Sequence, residues 1–501
     1  MPFFLLLIFN YYQYHPFMTS KLLLALLLSW ACCTAPARAN DGESNPYFEH
    51  EIQTSAALLG VDYSPDGKRI VTCGLGRDIV VYDVESGKPV LTLKGHTDDV
   101  VAVKYSPNGR YIASGGVDKA LILWDALTGE LLRKNTDHTD YVRDVAFSPN
   151  SKLLASAGWD GQALVFDALG GQRVAMLGAA RATAAAPATT YDKGKTAKGR
   201  STNMTSVAFS PDGTELLTAN GDHSLRVWDT STWQQKFSLA GHTDEVWDAR
   251  YAPNGQYVVS GAWDNTARVW DLKTQKVVYT IPAHVSDVWG TAFSPDGQLI
   301  ATCGGDRKVR VWDMATGLLV QDVSGELHTA EVENVVFSPD GRHLVSVSRD
   351  GSAKIWRVPT TSDRANAYSK DNMTRWGRKS EFEKTDDYQK RMAKQDERQR
   401  DFQQEGRAKM LAAYGNSANW QSFKLSDYNA DTEYFTLLSP LFSQPYRLKV
   451  PPREAEAFRS AFREAKYGSP TFEYQGDAIA LRTATMSAVV EGSIRTYPIS
   501  H

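Results

Sequence analysis

The sequence predicts an all-β body of seven repeated four-stranded units, followed by a charged helical segment and a small α+β domain. Three coupled markers carry that reading. A short turn is written seven times: SPDG at 64, SPNG at 106, SPNS at 148, SPDG at 210, APNG at 252, SPDG at 294 and SPDG at 338. The pairs Tyr82-Asp83, Trp124-Asp125, Phe166-Asp167, Trp228-Asp229, Trp270-Asp271, Trp312-Asp313 and Trp356-Arg357 each begin 18 residues after the start of their turn. A histidine stands ten residues before five of the turns, at His96, His138, His242, His284 and His328. Self-similarity at a period near 42 residues is the signature of a repeat architecture.

Between the markers the chain alternates with the period of a strand, as in VWDARYAP, YVVSGAW, TARVWDL and KVVYTI, with Pro-Asp-Gly or Gly-rich punctuation between runs. Four short strands fit each repeat. This pattern over residues 46 to 358 closely resembles the WD-repeat β-propeller family. The resemblance implies an all-β seven-bladed β-propeller around a central channel. Closure has a physical reason: a lone blade cannot cover both of its faces, and a ring leaves no terminal blade bare. In the family an N-terminal strand completes the last blade, and FEHEIQT at 48–54 stands where that strand is expected.

The polar markers have the ingredients of a hydrolase triad, yet they recur. His242, Ser260, Asp264 and Trp270 return as His96, Ser114, Asp118 and Trp124, as His284, Thr302, Asp306 and Trp312, and as His328, Ser346, Asp350 and Trp356. A catalytic centre is needed once, so recurrence marks these residues as structural. The resemblance implies a hydrogen-bonded tetrad in each blade, in which every buried polar group has a partner. No catalytic residue, cofactor or metal site is expected, and the chain is read as a non-enzyme. Cys73 and Cys303 lie in repeats separated by blade 7 and are expected as free, buried thiols.

In such a propeller the d–a and b–c connections share one face, the top. Residues there include Tyr141, Arg143, Trp159, Trp247, Trp263, Trp289, Glu333 and Arg349, and these are the candidate partner-binding set. Other copies of the repeat hold Val101, Val117, Gly221 and Gly305 at the tryptophan positions. The indoles are therefore not required by the repeat, and exposed Trp with Arg and Tyr nearby has the composition of a binding hot spot. The alternatives are that the indoles plug the channel, or that they line a pocket for a carbohydrate or cofactor. An insertion at 178–204 lengthens the d–a connection after repeat 3; its composition predicts a disordered arm on the same face, with Arg181, Lys193, Lys195, Lys198 and Arg200 able to steer an acidic partner.

Two motifs are decoys. Gly194-Lys195-Thr196 lacks the earlier glycine of a phosphate loop, where Thr189 stands, and no strand precedes it. Asp427-x-Asn429-x-Asp431 opens like a calcium loop but has Thr432 for its turn glycine and Leu438 for its bidentate glutamate, so a polar turn is expected.

Residues 1–39 read as a signal peptide whose translation starts at Met18, with Lys21, an apolar run from Leu22 to Trp30 and an Ala37-Arg38-Ala39 cleavage site. The expected location is periplasmic or secreted, with no membrane span after cleavage. A lipoprotein is disfavoured by Ser29 and Trp30 ahead of Cys32 and Cys33. A formal net charge of −3 gives no electrostatic case for nucleic acid.

Residues 359–415 form the charged segment, whose helix is expected to touch a body through Trp376, Phe382, Tyr388 and Met392. Residues 416–501 suggest the small domain: strands YFTLL and YRLKV, a helix opening at Pro451-Pro452, and a final strand pair PTFEYQ and AIALRTATMSAV. The expected function is an exported scaffold presenting the top face to a protein or peptide.

Overall fold

The structure, a computed structural model, describes residues 45–178, 203–325, 327–380, 383–417, 424–438, 446–462, 465–475, 478–490 and 493–500. The leader at 1–39, and residues 179–202 of the insertion with its basic residues and Gly194-Lys195-Thr196, lie outside them. Among the described residues no helix is long and apolar enough to cross a membrane.

Seven four-stranded antiparallel sheets form the blades, here numbered 1 to 7 with strands a to d from the channel outwards. Blade 5 shows the plan: Val246–Tyr251, Tyr257–Ala262, Ala267–Asp271 and Lys276–Ile281. Each a strand packs on the a strand of the next blade, and the a strand of blade 7, Val332–Phe337, packs on that of blade 1, Leu58–Tyr63. Strand Phe48–Gln53 pairs with the c strand Ser352–Arg357 in register Gln53↔Ser352, so it is the d strand of blade 7 and closes the ring as expected.

The recurring turn is built by its first residue. Ser64 Oγ donates to Asp66 Oδ1 at 2.6 Å and accepts from the Arg69 amide at 2.9 Å, while Gly67 takes a φ of 72° that a side chain would disfavour. In the third copy Ser151 adopts the same region at φ 58°. Between blades the faces meet through β-branched and aromatic side chains; Val309, Val311, Val332, Val335 and Trp356 join blades 6 and 7 in one fully buried cluster.

Past blade 7, α1 (Thr361–Trp376), α2 (Thr385–Met392) and α3 (Gln395–Ser417) replace the single helix expected from the charge pattern. Thr360 and Asp363 form a capping box that starts α1. The expected contacts need correction. Trp376 and Tyr388 are half-buried and flank the Arg391 guanidinium at 5.0 and 5.3 Å, Met392 is also half-buried, and Phe382 lies outside the described residues. The buried side chains are instead Tyr368, Phe402 and Met410. The reason is Arg364: buried, it donates through Nε to Asp313 Oδ2 at 2.7 Å and through Nη2 to Gln298 Oε1 at 3.2 Å, seating α1 on blade 6 and turning Tyr368 towards α3. Gly406 permits the close approach, since a Cβ there would stand 2.9 Å from the Tyr368 ring.

The C-terminal region is a six-stranded sheet ordered Lys424–Asn429, Tyr434–Leu438, Tyr446–Lys449, Ser493–Ser500, Ala478–Val490, Lys466–Gln475. Helix α4 (Ala455–Ala461), after a 3-10 turn at Pro452–Glu454, places Phe458 against Phe435 and Tyr497. Strand Ser493–Ser500 is an addition to the expected strands and contains Pro498; its pairing with Tyr446–Lys449 reaches only Ile499 and Ser500, so Pro498 owes no hydrogen bond on that side. The false calcium loop is a polar turn, with Asn429 Oδ1 accepting from the Asp431 and Thr432 amides at 3.0 Å.

Candidate functional site: the top face and the channel

The repeated polar residues can be assigned first. In blade 5 the Trp270 indole donates to Ser260 Oγ at 2.8 Å, Ser260 lies 2.7 Å from His242 Nε2, and His242 Nδ1 lies 2.8 Å from Asp264 Oδ2. Because the carboxylate only accepts, Nδ1 carries the proton and Nε2 accepts from the serine hydroxyl. Equivalent chains run through Trp124, Ser114, His96 and Asp118, through Trp312, Thr302, His284 and Asp306, and through Trp356, Ser346, His328 and Asp350. Burial holds His242, His284 and His328 below the usual imidazole range, against the pull of their aspartates. For Asp118 burial acts upward, but the His96 hydrogen bond and backbone donors outweigh it and hold the carboxyl at about 2.

The incomplete blades substitute other contacts. Blade 3 keeps His138, Ser156 and Asp160 but has Phe166 in place of the indole. In blade 4 Trp228 still donates to Thr218 at 3.2 Å, while Asp222 pairs with Arg226. In blade 1 the Gly76 amide donates to Asp99 at 2.8 Å. The remaining Trp-Asp aspartates cap turns; Asp271 Oδ1 accepts from the Thr274 amide at 2.9 Å.

The eight candidate residues fall into two groups. On blade 3, Tyr141 and Trp159 stack with centroids 5.5 Å apart. Across the mouth, Trp263 stacks on Trp247 at 5.0 Å, the Arg143 guanidinium lies 4.7 Å from the Trp247 ring, Glu333 pairs with Arg349, and Arg349 lies 5.3 Å from the Trp289 ring. Arg143 thus reaches from blade 3 past blade 4 to blade 5. The picture of uniformly exposed tryptophans is corrected: Trp247 is 7% exposed and Glu333 3%. They form a floor, covered by Arg143, Trp263 and Arg349, while Tyr141, Trp159, Trp263 and Trp289 remain half-buried. Burial pushes the Glu333 carboxyl up, with Arg349 and Arg143 opposing. The indole N–H groups of Trp159, Trp247 and Trp263 and the Arg143 Nε are buried without a partner among the described residues.

Below this layer lies a charge network that the sequence reading missed. Arg250 on blade 5 pairs with Asp144 on blade 3 at 3.0 Å and with Asp248 at 2.9 Å. Ser206 Oγ on blade 4 lies within reach of both carboxylates, at 2.9 Å from Asp144 and 3.1 Å from Asp248. Asp248 also accepts from the Thr291 amide and hydroxyl, each at 2.9 Å, and Lys104 stands 3.5 Å from Asp62. Burial raises Asp62, with Lys104 opposing. For Asp144 burial acts upward too, but Arg250 and Lys104 prevail and hold it below the usual range. A signal for the network was present: the third a-strand residue reads Gly60, Ala102, Asp144, Ser206, Asp248, Gly290 and Asn334, so two carboxylates stand where other copies are small or neutral.

Together these layers leave a channel cavity of about 20 Å³, lined among others by Arg143, Trp247, Arg250, Trp289 and Glu333. That is room for a water molecule, far below the ~300 Å³ at which small-ligand pockets begin.

A search of the curated proteins finds no match. A family model described as WD domain, G-beta repeat, matches residues 46–83, 87–125, 129–167, 193–229, 233–271, 275–313 and 323–357, together more than half of the chain. With seven matched repeats and seven blades closed into a ring, the chain belongs to the WD40 family.

Proposed function

We propose that the protein is an exported, non-enzymatic scaffold that presents the top face of its propeller to a protein or peptide partner. WD40 repeats generally mediate protein interactions, and the observation that supports this face is the aromatic layer at the mouth. Trp159, Trp263 and Trp289 are half-buried at positions where other copies hold Val or Gly, so the fold does not need them. Their stacking on Tyr141 and Trp247 keeps them rigid, which lowers the entropy lost when a partner docks. The unpartnered N–H groups beneath favour a partner that brings hydrogen-bond acceptors. The cavity beneath this layer is too small for a sugar or cofactor, which favours binding on the outer surface. Recurrence of the His-Ser-Asp sets supports the non-enzymatic reading. Export rests on Lys21, the apolar run to Trp30 and Ala37-Arg38-Ala39.

The test is quantitative affinity capture by the secreted form of the protein and by Trp159→Ala/Trp263→Ala. Both indoles are half-buried and belong to no tetrad, so their truncation leaves the hydrogen-bonded sets of the blades in place. A hot-spot tryptophan is worth about 2 kcal/mol or more, so capture of a top-face partner should fall about 30-fold. An unchanged set of captured proteins would remove the tryptophans from the account.

A further inference from the structure

A cleft lies away from the propeller mouth, beside the seam of α1 and α3, with a volume of about 610 Å³. The helices run antiparallel there: Gln403 Nε2 donates to Asn366 Oδ1 at 2.9 Å, and Ser369 Oγ donates to the Gln399 carbonyl at 3.1 Å. One wall carries Gln395, Gln399 and Gln403, spaced by four residues and therefore on one face of α3. The other carries Lys370 and Met373 from α1, and Met392 lies at one end. Among the described residues, no carboxylate and no aromatic ring lines the cleft. The Lys370 ammonium and the side-chain amides of Gln395 and Gln399 have no partner among the described residues.

Independently of the top-face reading, the geometry points to a second binding site: the α1–α3 cleft takes an extended peptide segment that carries a carboxylate. Three features select that occupant. Glutamine rungs four residues apart repeat every ~6 Å along a helix, close to the ~6.7 Å two-residue repeat of an extended backbone. Each amide offers both a donor and an acceptor, which matches the free N–H and C=O groups of a strand, whereas a helix has already used its own. The one charge of the lining among the described residues is positive, so the complementary group on the occupant is a carboxylate, held opposite Lys370. The flexible thioethers of Met373 and Met392 accommodate an apolar side chain at the same end.

The experiment uses an array of random heptapeptides with free α-carboxyl groups, probed with the full chain; hits are then titrated in free-acid and amidated forms. Lys370, Gln395 and Gln399 are exposed, so Lys370→Glu and Gln395→Ala/Gln399→Ala should keep the native circular dichroism spectrum. The expected result is about tenfold weaker binding of hits to each variant, the loss of one charge-assisted contact or of two neutral ones. A peptide whose carboxylate is its terminus should weaken similarly on amidation, and binding to Trp159→Ala/Trp263→Ala should be unchanged. The proposal is overturned by an array without hits, or by hits that bind both cleft variants as tightly as the native chain. Hits lost only with the tryptophan variant would also overturn it while supporting the top-face reading.

Discussion

The blades and the channel both bury polar groups, and they do so under opposite rules. A tetrad uses neighbouring strands of one sheet and the loop leading into it, is copied from blade to blade, and is short enough that each member finds its partner locally. The channel network is assembled once, and its central pair joins blades that are not neighbours: Asp144 and Arg250 are separated by the whole of blade 4. The copied device specifies how a blade folds, while the single one specifies how blades sit around the axis. If that division is right, breaking the two should have different sizes and different symptoms.

Arg250→Ala should give the largest effect. It strands the buried carboxylates of Asp144 and Asp248 together, and breaking a buried pair by removing one partner costs about 3–5 kcal/mol. Chemical denaturation of the propeller measures it. Because the loss comes from uncompensated charge, Arg250→Ala/Asp144→Ala should recover part of it. A double variant no more stable than the single one would mean that Arg250 acts through packing.

The second comparison is between a complete blade and an incomplete one. Asp264→Ala in blade 5 removes the acceptor for His242 Nδ1–H, for the Thr243 amide and for the Thr266 hydroxyl, and should cost about 2 kcal/mol. Asp222→Ala occupies the same position in blade 4, where the carboxylate serves Arg226 and Ser224 at a half-exposed site, and should cost less than about 1 kcal/mol. Equal losses would show that the aspartate matters for its turn and not for the imidazole.

This difference also marks how much was legible from residues alone. Seven copies of a turn and of an aromatic-led pair, Trp-Asp in four of them, reveal the blades, because local hydrogen bonds force similar residue types to the same spacing. The closing strand Phe48–Gln53 is legible the same way, since FEHEIQT holds the place in its repeat that VLTLKGH at 90–96 holds in the next. Side chains whose partners are two blades away leave no periodic trace, so Arg143 and Trp247 were placed on one face but their contact was not foreseen. Nor was the burial of Trp247, which depends on what Arg143 and Trp263 do above it. The helical segment was legible from its charge spacing, but its division into three helices and the seating of the first by Arg364 on Asp313 were not, because that partner lies 51 residues away.

The smallest effect, and the one that separates the two polar systems by sign, is pH. His242, His284 and His328 have folded pKa values depressed by burial, so as pH falls through about 6.5 the unfolded chain takes up protons before the folded one does. Their contribution is present above that pH and is lost below it. Raised carboxylates act the other way, since the folded state protonates first and gains stability as pH falls. Burial, and then Asp244, push Glu245 on the top face up to about 7, so it opposes the histidines in the same window. Asp62 and Glu333, raised by burial in the channel, work in that same direction on the way down to the usual carboxylate range. The histidines drive a fall in stability between about pH 7.5 and 6 and the glutamate opposes it, a balance read as Tm across that window. Glu245→Gln removes the opposing group and should steepen that fall. A slope unchanged by Glu245→Gln would mean that the glutamate stays ionised at neutral pH, and that the top face carries its full negative charge when a partner arrives.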